Sequence, residues 1–140
     1  MTNLDRFIEA QESDYKIALN EIKRGRKTSH WIWYIFPQLD GLGHSMTAKY
    51  YGIKDENEAR DYINNEYLKN HLLEISNELL KLKNNNISEI MGYPDDLKLK
   101  SCMTLFDYVS EYDVFKKVLE KYYHGDKDEV TIRILKENKK

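Results

Sequence analysis

Apolar side chains recur at intervals of three and four along most of this chain, and that period belongs to the α-helix. The first segment shows it most clearly. Leu4, Phe7, Ile8, Gln11, Tyr15, Ala18 and Ile22 fall on one helical face. Asn3 is placed to cap this helix, Asp5 faces its dipole, Lys23 and Arg24 suit its last turn, and Gly25 follows as the terminating residue. Gln11 interrupts the apolar face, so its amide either meets water at the boundary or points into a pocket. Asp55 and Glu58 have capping-box spacing ahead of a helix to about Asn64, with Ala59, Tyr62 and Ile63 inward. Tyr67 to Leu82 carries the stripe Leu68, Leu72, Ile75, Leu79 and Leu82. Pro94 suits a first helical position, and Asp95 and Asp96 begin a helix to Val109. Asp113 is placed to cap a helix to Tyr123. Asp128 is placed to cap a last one bearing Val130, Ile132, Ile134 and Leu135, although this β-branched run also tolerates a strand. Trp31-Ile32-Trp33-Tyr34-Ile35-Phe36 breaks the period. Such a continuous apolar run suits a core strand or a short buried helix, and Pro37 disfavours helix at Phe36. The expected fold is mostly α: one compact helical domain over residues 1–140, with six to eight helices. Any minor strand element is confined to Trp31–Phe36 or the C-terminal end, and residues 136–140 form a frayed tail.

Composition narrows the function classes. A length of 140 residues suits one domain. Its 11 Tyr, 4 Phe and 2 Trp stand against 4 Ala, so the core is built from a few bulky side chains. That aromatic content and a net charge of -2 argue against disorder. With 22 basic and 24 acidic residues, the chain lacks the cationic excess of a general nucleic-acid binder. Cys102 is the sole cysteine, which excludes an internal disulfide and a cysteine-based zinc site. No apolar run reaches the length of a membrane span and no signal-peptide pattern opens the chain, so a cytoplasmic location is expected. Neither paired metal-ligand spacing nor a phosphate-binding glycine motif is present, so no metal or cofactor is expected.

Chemistry-bearing residues concentrate in two places. Between Lys27 and Ser45 lie His30, Trp33, Tyr34, Gln38, Gly41, Gly43 and His44. Large aromatics offer stacking faces, two glycines let backbone N–H groups approach an anion, and His30 or His44 titrates near neutral pH. Lys27 closes a small cationic group with Arg24 and Arg26, suited to phosphate or simply to water at a helix end. The second group follows Pro94, where Asp95, Lys98 and Ser101 share a helical face, Thr104 extends it, and Asp96 and Lys100 make an i,i+4 surface pair. The plain alternative is that the aromatics fill the core, the glycines turn the chain and the polar stripe finds structural partners. Cys102 reads as a small core residue and His71 as a partly buried structural histidine.

The run Ser29-His30-Trp31-Ile32-Trp33-Tyr34-Ile35-Phe36-Pro37-Gln38, followed by Gly41-Leu42-Gly43 and Ser45, resembles the hallmark of a bacterial family. It is catalogued as domain of unknown function 1810 and sometimes labelled calpastatin, although nothing here resembles a disordered protease-inhibitor repeat. Asp96, Leu97, Lys98, Leu99, Ser101 and Met103 to Phe106 are similar to its second hallmark, as are Gly125, Asp126, Asp128 and Thr131 to a third. The resemblance implies a compact helical protein and no defined activity. Cys102 stands where a second serine is expected and His71 where arginine is common. More distantly, the chain resembles the helical NADAR proteins of the YbiA type, which act on N-glycosidic bonds of ADP-ribose-like or riboflavin-pathway compounds. Their hallmarks are not reproduced here, so no catalytic residue carries over.

The leading expectation is therefore a hydrolase or N-glycosidase acting on a nucleotide-like or ADP-ribose-like small molecule. Asp96 and His44 would be its acid and base, and Lys27, His30, Trp33, Tyr34, Gln38, Gly41, Gly43, Ser45, Lys98 and Ser101 would bind the ligand. The alternative is a non-enzymatic module that binds a small molecule or a protein.

Overall fold

Helix-compatible periodicity, caps and terminators lead to a bundle of α-helices in the computed structural model, which describes residues 3–137. In order these are α1 (Asp5–Lys23), α2 (Ile32–Ile35), α3 (Met46–Tyr51), α4 (Glu56–Asn64), α5 (Glu66–Lys81), α6 (Ile87–Met91), α7 (Asp95–Val109), α8 (Asp113–Tyr123) and α9 (Glu129–Glu137). Six of them reach seven residues or more, within the expected range, and α2, α3 and α6 are single short turns. Of the two conformations open to Trp31–Phe36, the short buried helix forms, and Phe36 leaves helical geometry ahead of Pro37. The C-terminal β-branched run is helical. Among the described residues the extended pairing is one isolated parallel bridge between Leu39 and Ile53. The expected fraying at 138–140 lies outside the described residues, while Lys136 and Glu137 belong to α9. No helix of the described residues is long and apolar enough to cross a membrane.

Helix α7 is the hub. It packs on α8, α4, α6, α9 and α2, and its buried residues include Leu99, Cys102, Met103, Leu105, Phe106 and Val109. A helix buried on several sides has no single apolar stripe, which explains the wide spread of apolar positions along it. Phe106 contacts Tyr62 and Phe115 with ring centroids 5.2 and 5.9 Å apart. The core is thus assembled from large rings, as the scarcity of alanine implies. Cys102 is fully buried, and burial pushes its thiol well up, so it is an inert core residue.

Asp55 forms its expected cap, and Asn65, Asn86 and Ser45 likewise accept from backbone N–H groups of the first turn of their helices. It departs from expectation at two ends. Asn3 does not cap α1, because the N-cap position falls at Leu4 without a side-chain bond. Likewise Tyr112, not Asp113, takes that position in α8, and Asp113 lies inside the first turn.

Gln11 takes neither of its expected roles. It is buried, and its amide donates to Tyr34 O (2.8 Å) and Tyr62 Oη (2.9 Å). With the nitrogen so engaged, its Oε1 accepts from His71 Nδ1 at 2.8 Å, which sets the imidazole tautomer. The His71 ring stacks on Tyr15 at 3.6 Å, and burial draws its pKa down against the opposing charge of Glu74. His71 is therefore a structural member of the α1–α5 interface.

Ser76 sits fully buried on α5, and its hydroxyl has no partner among the described residues. Such a group carries its desolvation penalty without compensation, and alanine is also the better helix former. Ser76→Ala is expected to raise stability by about 1 kcal/mol in urea denaturation, whereas most buried substitutions lower it.

Candidate functional site

A cleft of about 330 Å3 opens where α2, α3, α7 and the start of α9 meet. Its apolar surface comes from Trp33, Leu42, Tyr51, Leu97 and Val130, and its polar groups from Gln38, Lys98, Lys100, Ser101 and Asp128. Each element presents these residues for a local reason. On the four-residue α2, Ile32, Tyr34 and Ile35 turn into the core, which leaves Trp33 half-buried on the remaining face. On α7, Leu97 and Lys98 stand four and three residues before Ser101 and share its side of the helix, Leu97 exposed, Lys98 half-buried and Ser101 buried at the base.

The segment between α2 and α3 folds back tightly to form another wall. Asp40 N donates to Ile53 O and Ile53 N to Gln38 O, both at 2.8 Å. Gly43 and Gly52 permit this closeness. A Cβ on Gly43 would lie 2.7 Å from Ala48 Cβ, and one on Gly52 would lie 2.8 Å from Asp40 Cα.

Charge in the cleft is arranged around the Trp33 indole. Lys98 Nζ lies 5.2 Å from the ring centroid, a cation–π geometry, and 3.7 Å from Asp95 Oδ1. Trp33 Nε1 is buried and has no hydrogen-bond partner among the described residues. Ser101 Oγ donates to Leu97 O at 3.2 Å, so its oxygen keeps accepting capacity. Lys100 Nζ lies 5.9 Å from the Tyr123 ring. The side-chain amide of Gln38 makes no hydrogen bond among the described residues. A planar apolar wall, two cations, an uncommitted amide and one carboxylate can hold a small polar molecule and orient its ring and charged end.

Of the twelve residues singled out by sequence, Trp33, Gln38, Gly43, Lys98 and Ser101 line this cleft. The other seven sit elsewhere. Lys27 Nζ pairs with Asp95 Oδ2 at 2.6 Å, donates to Ser29 O at 2.6 Å and lies 4.9 Å from the Trp31 ring centroid. It is a buried anchor between the loop and α7. Asp96 is buried, accepting from Ser88 Oγ at 2.6 Å and from Leu97 N at 2.9 Å. The surface pair expected between Asp96 and Lys100 does not form, because Asp96 faces α6. Tyr34 is buried against α1, where its hydroxyl donates to Asp14, and burial together with that bond raises its pKa. His30 and His44 are exposed outside the lining, Ser45 caps α3, and Gly41 takes a positive φ in an open turn.

Sequence reasoning missed Lys100, Asp128, Tyr51 and Val130 as members of the cleft. Asp128 carried a signal, since it belongs to a motif near the C-terminus, but its capping role accounted for it. Among the described residues no group of three or more His, Cys, Asp or Glu is placed to hold a metal ion.

Residues 1–135 match the family described as protein of unknown function (DUF1810). The crystal structure at 1.38 Å of the conserved hypothetical protein Rv1873 from Mycobacterium tuberculosis is similar to this chain, with 41% sequence identity and a TM-score of 0.93. The similarity covers 95% of this chain and 96% of that one. No curated protein matches.

Proposed function

This chain belongs to the DUF1810 family, and from the make-up of its cleft we propose that it binds a nucleotide-like small molecule there. The observation that carries this reading is the Lys98 ammonium held 5.2 Å from the Trp33 ring centroid at the wall of a 330 Å3 cleft. An indole supplies area for a base or sugar, and an adjacent ammonium supplies the counter-charge for phosphate. The volume lies at the lower end of the range for small-molecule sites, about 300–1,000 Å3, which suits a mononucleotide or sugar phosphate.

Binding is favoured over hydrolysis because Asp96 and His44, the expected acid and base, lie away from the lining. Asp96 already accepts two hydrogen bonds from protein groups.

Thermal denaturation with AMP, ADP-ribose and NAD tests the reading. A ligand at about 100 times its Kd stabilises by about 2.7 kcal/mol, which at this chain length raises Tm by roughly 5–10 °C. Lys98→Met is expected to weaken that ligand by about tenfold or more while leaving the Tm of the free protein within a few degrees. No shift with any of the three would remove the proposal. Release of free base or ribose phosphate in the same mixtures would convert binding into hydrolysis.

A further inference from the structure

We propose that Asp128 is a specificity residue of the cleft, accepting a hydrogen bond from a sugar hydroxyl of the bound molecule. The inference rests on the nucleotide-binding reading and names what the cleft selects.

Three observations combine. First, Asp128 lines the cleft together with Lys98, Ser101 and Gln38, although it comes from a different part of the chain. Second, it is held in one position. Its backbone N–H donates to Thr104 Oγ1 at 2.9 Å, while its Oδ2 accepts from Thr131 N at 3.0 Å and Thr131 Oγ1 at 2.5 Å. Thr131 and Thr104 are themselves buried, so Thr131 holds one carboxylate oxygen while Thr104 holds the backbone behind it. Third, its Oδ1 makes no hydrogen bond or ion pair among the described residues.

One oxygen therefore holds the fold and the other remains for an occupant. An ionised carboxylate is an acceptor only. It selects donors such as hydroxyls and repels phosphate, which the lysines attract. A carboxylate reading ribose hydroxyls is a recurring solution in nucleotide sites, and the reason is the same acceptor chemistry. A rigid acceptor discriminates more strongly than a mobile one, because an analogue lacking the hydroxyl leaves it desolvated and unpaired.

The test compares AMP with 2′,3′-dideoxyadenosine 5′-monophosphate by calorimetric titration of wild type, Asp128→Asn and Lys98→Met. Asparagine caps a helix about as well as aspartate, so Asp128→Asn keeps the bonds to Thr131 and replaces the other oxygen by a donor. Asp128→Ser, which also caps, serves if Asp128→Asn does not fold. The expected result is that wild type prefers AMP by about tenfold or more, and that the Asp128 variant loses this preference. The variant's affinity for the dideoxy analogue should be no weaker than that of wild type, because the lost carboxylate contributed only repulsion to its phosphate. Equal binding of AMP by wild type and the Asp128 variant, with weakened binding by Lys98→Met, would overturn this inference and leave the cleft assignment standing. Absence of AMP binding by wild type would overturn both.

Discussion

Replacing Glu21 by alanine is expected to lower stability by about 3–4 kcal/mol, with a fall in Tm of roughly 10 °C. This carboxylate is buried at the end of α1 and organises the segment that leads into α2. Its Oε1 accepts from Thr28 N (2.7 Å), Ser29 N (2.9 Å) and Trp31 Nε1 (3.0 Å), and its Oε2 from Ser29 Oγ (2.5 Å). Trp31 is also fully buried, so without Glu21 its indole N–H has no other partner. Leaving such a donor unpaired costs about 1–3 kcal/mol, and the two backbone N–H groups add to it. Urea denaturation measures the loss, and a change below 1 kcal/mol would contradict the role assigned to Glu21.

Acid gives an independent readout of the same group. Burial pushes the Glu21 carboxyl up, but the bonds from Ser29, Thr28 and Trp31 outweigh it and hold the pKa at about 2. A carboxyl whose folded pKa lies below its unfolded value stabilises the protein above the unfolded value. That stabilisation disappears as pH falls from about 4.5 towards about 2. Glu21→Gln is expected to start less stable at pH 7 and to lose less between pH 4.5 and 2 than wild type.

Arg6→Ala is expected to cost about 3–5 kcal/mol, the range for breaking a buried ion pair by removing one partner. The Arg6 and Glu58 side chains are 7% and 5% exposed, and Arg6 Nη2 lies 2.7 Å from Glu58 Oε1. The guanidinium also donates to Tyr50 O at 2.9 Å, to Gly52 O at 3.0 Å and to Asn3 O. Glu58 in turn accepts from Lys54 N at 3.0 Å. Removing the arginine leaves a buried carboxylate and three carbonyls without their donor, and frees the end of α3 that forms a wall of the cleft. The double variant Arg6→Met/Glu58→Leu is expected to be more stable than Arg6→Ala, because no charge is then left buried alone. Chemical denaturation of both proteins decides this, and a less stable double variant would contradict it.

The helical segments were legible because backbone geometry fixes their period locally. Leu68, Leu72, Ile75 and Leu79 need no knowledge of the rest of the chain to be placed on one face. Trp31–Phe36 resisted the same reading, since six apolar residues in a row have no period and its helix is settled by what packs around it. Asp113 and Asn3 failed as caps because helix ends shift by a residue with little change in energy.

The site was legible in part. Trp33 and Gln38 stood out in and beside a run with no helical period, Lys98 stood out on a polar helical face with Asp95 and Ser101, and all three line the cleft. Asp96 and Lys27 stood out equally, yet both have protein partners that lie far from them in sequence or on another element. Composition cannot tell an uncommitted charge from a paired one, because pairing depends on which helix arrives opposite.

From the sequence alone came the helical class, the faces that turn inward, the exclusion of disulfide and cysteine–zinc chemistry, and the motifs that point to the family. All of these follow from covalent spacing and residue type. Tertiary structure alone decided that α2, α7 and the start of α9 share one cleft, that Asp96 and Lys27 are structural, and that Asp128 keeps a free oxygen there. The physical reason is that a site is made by long-range packing, which determines both which polar groups meet and which are already satisfied.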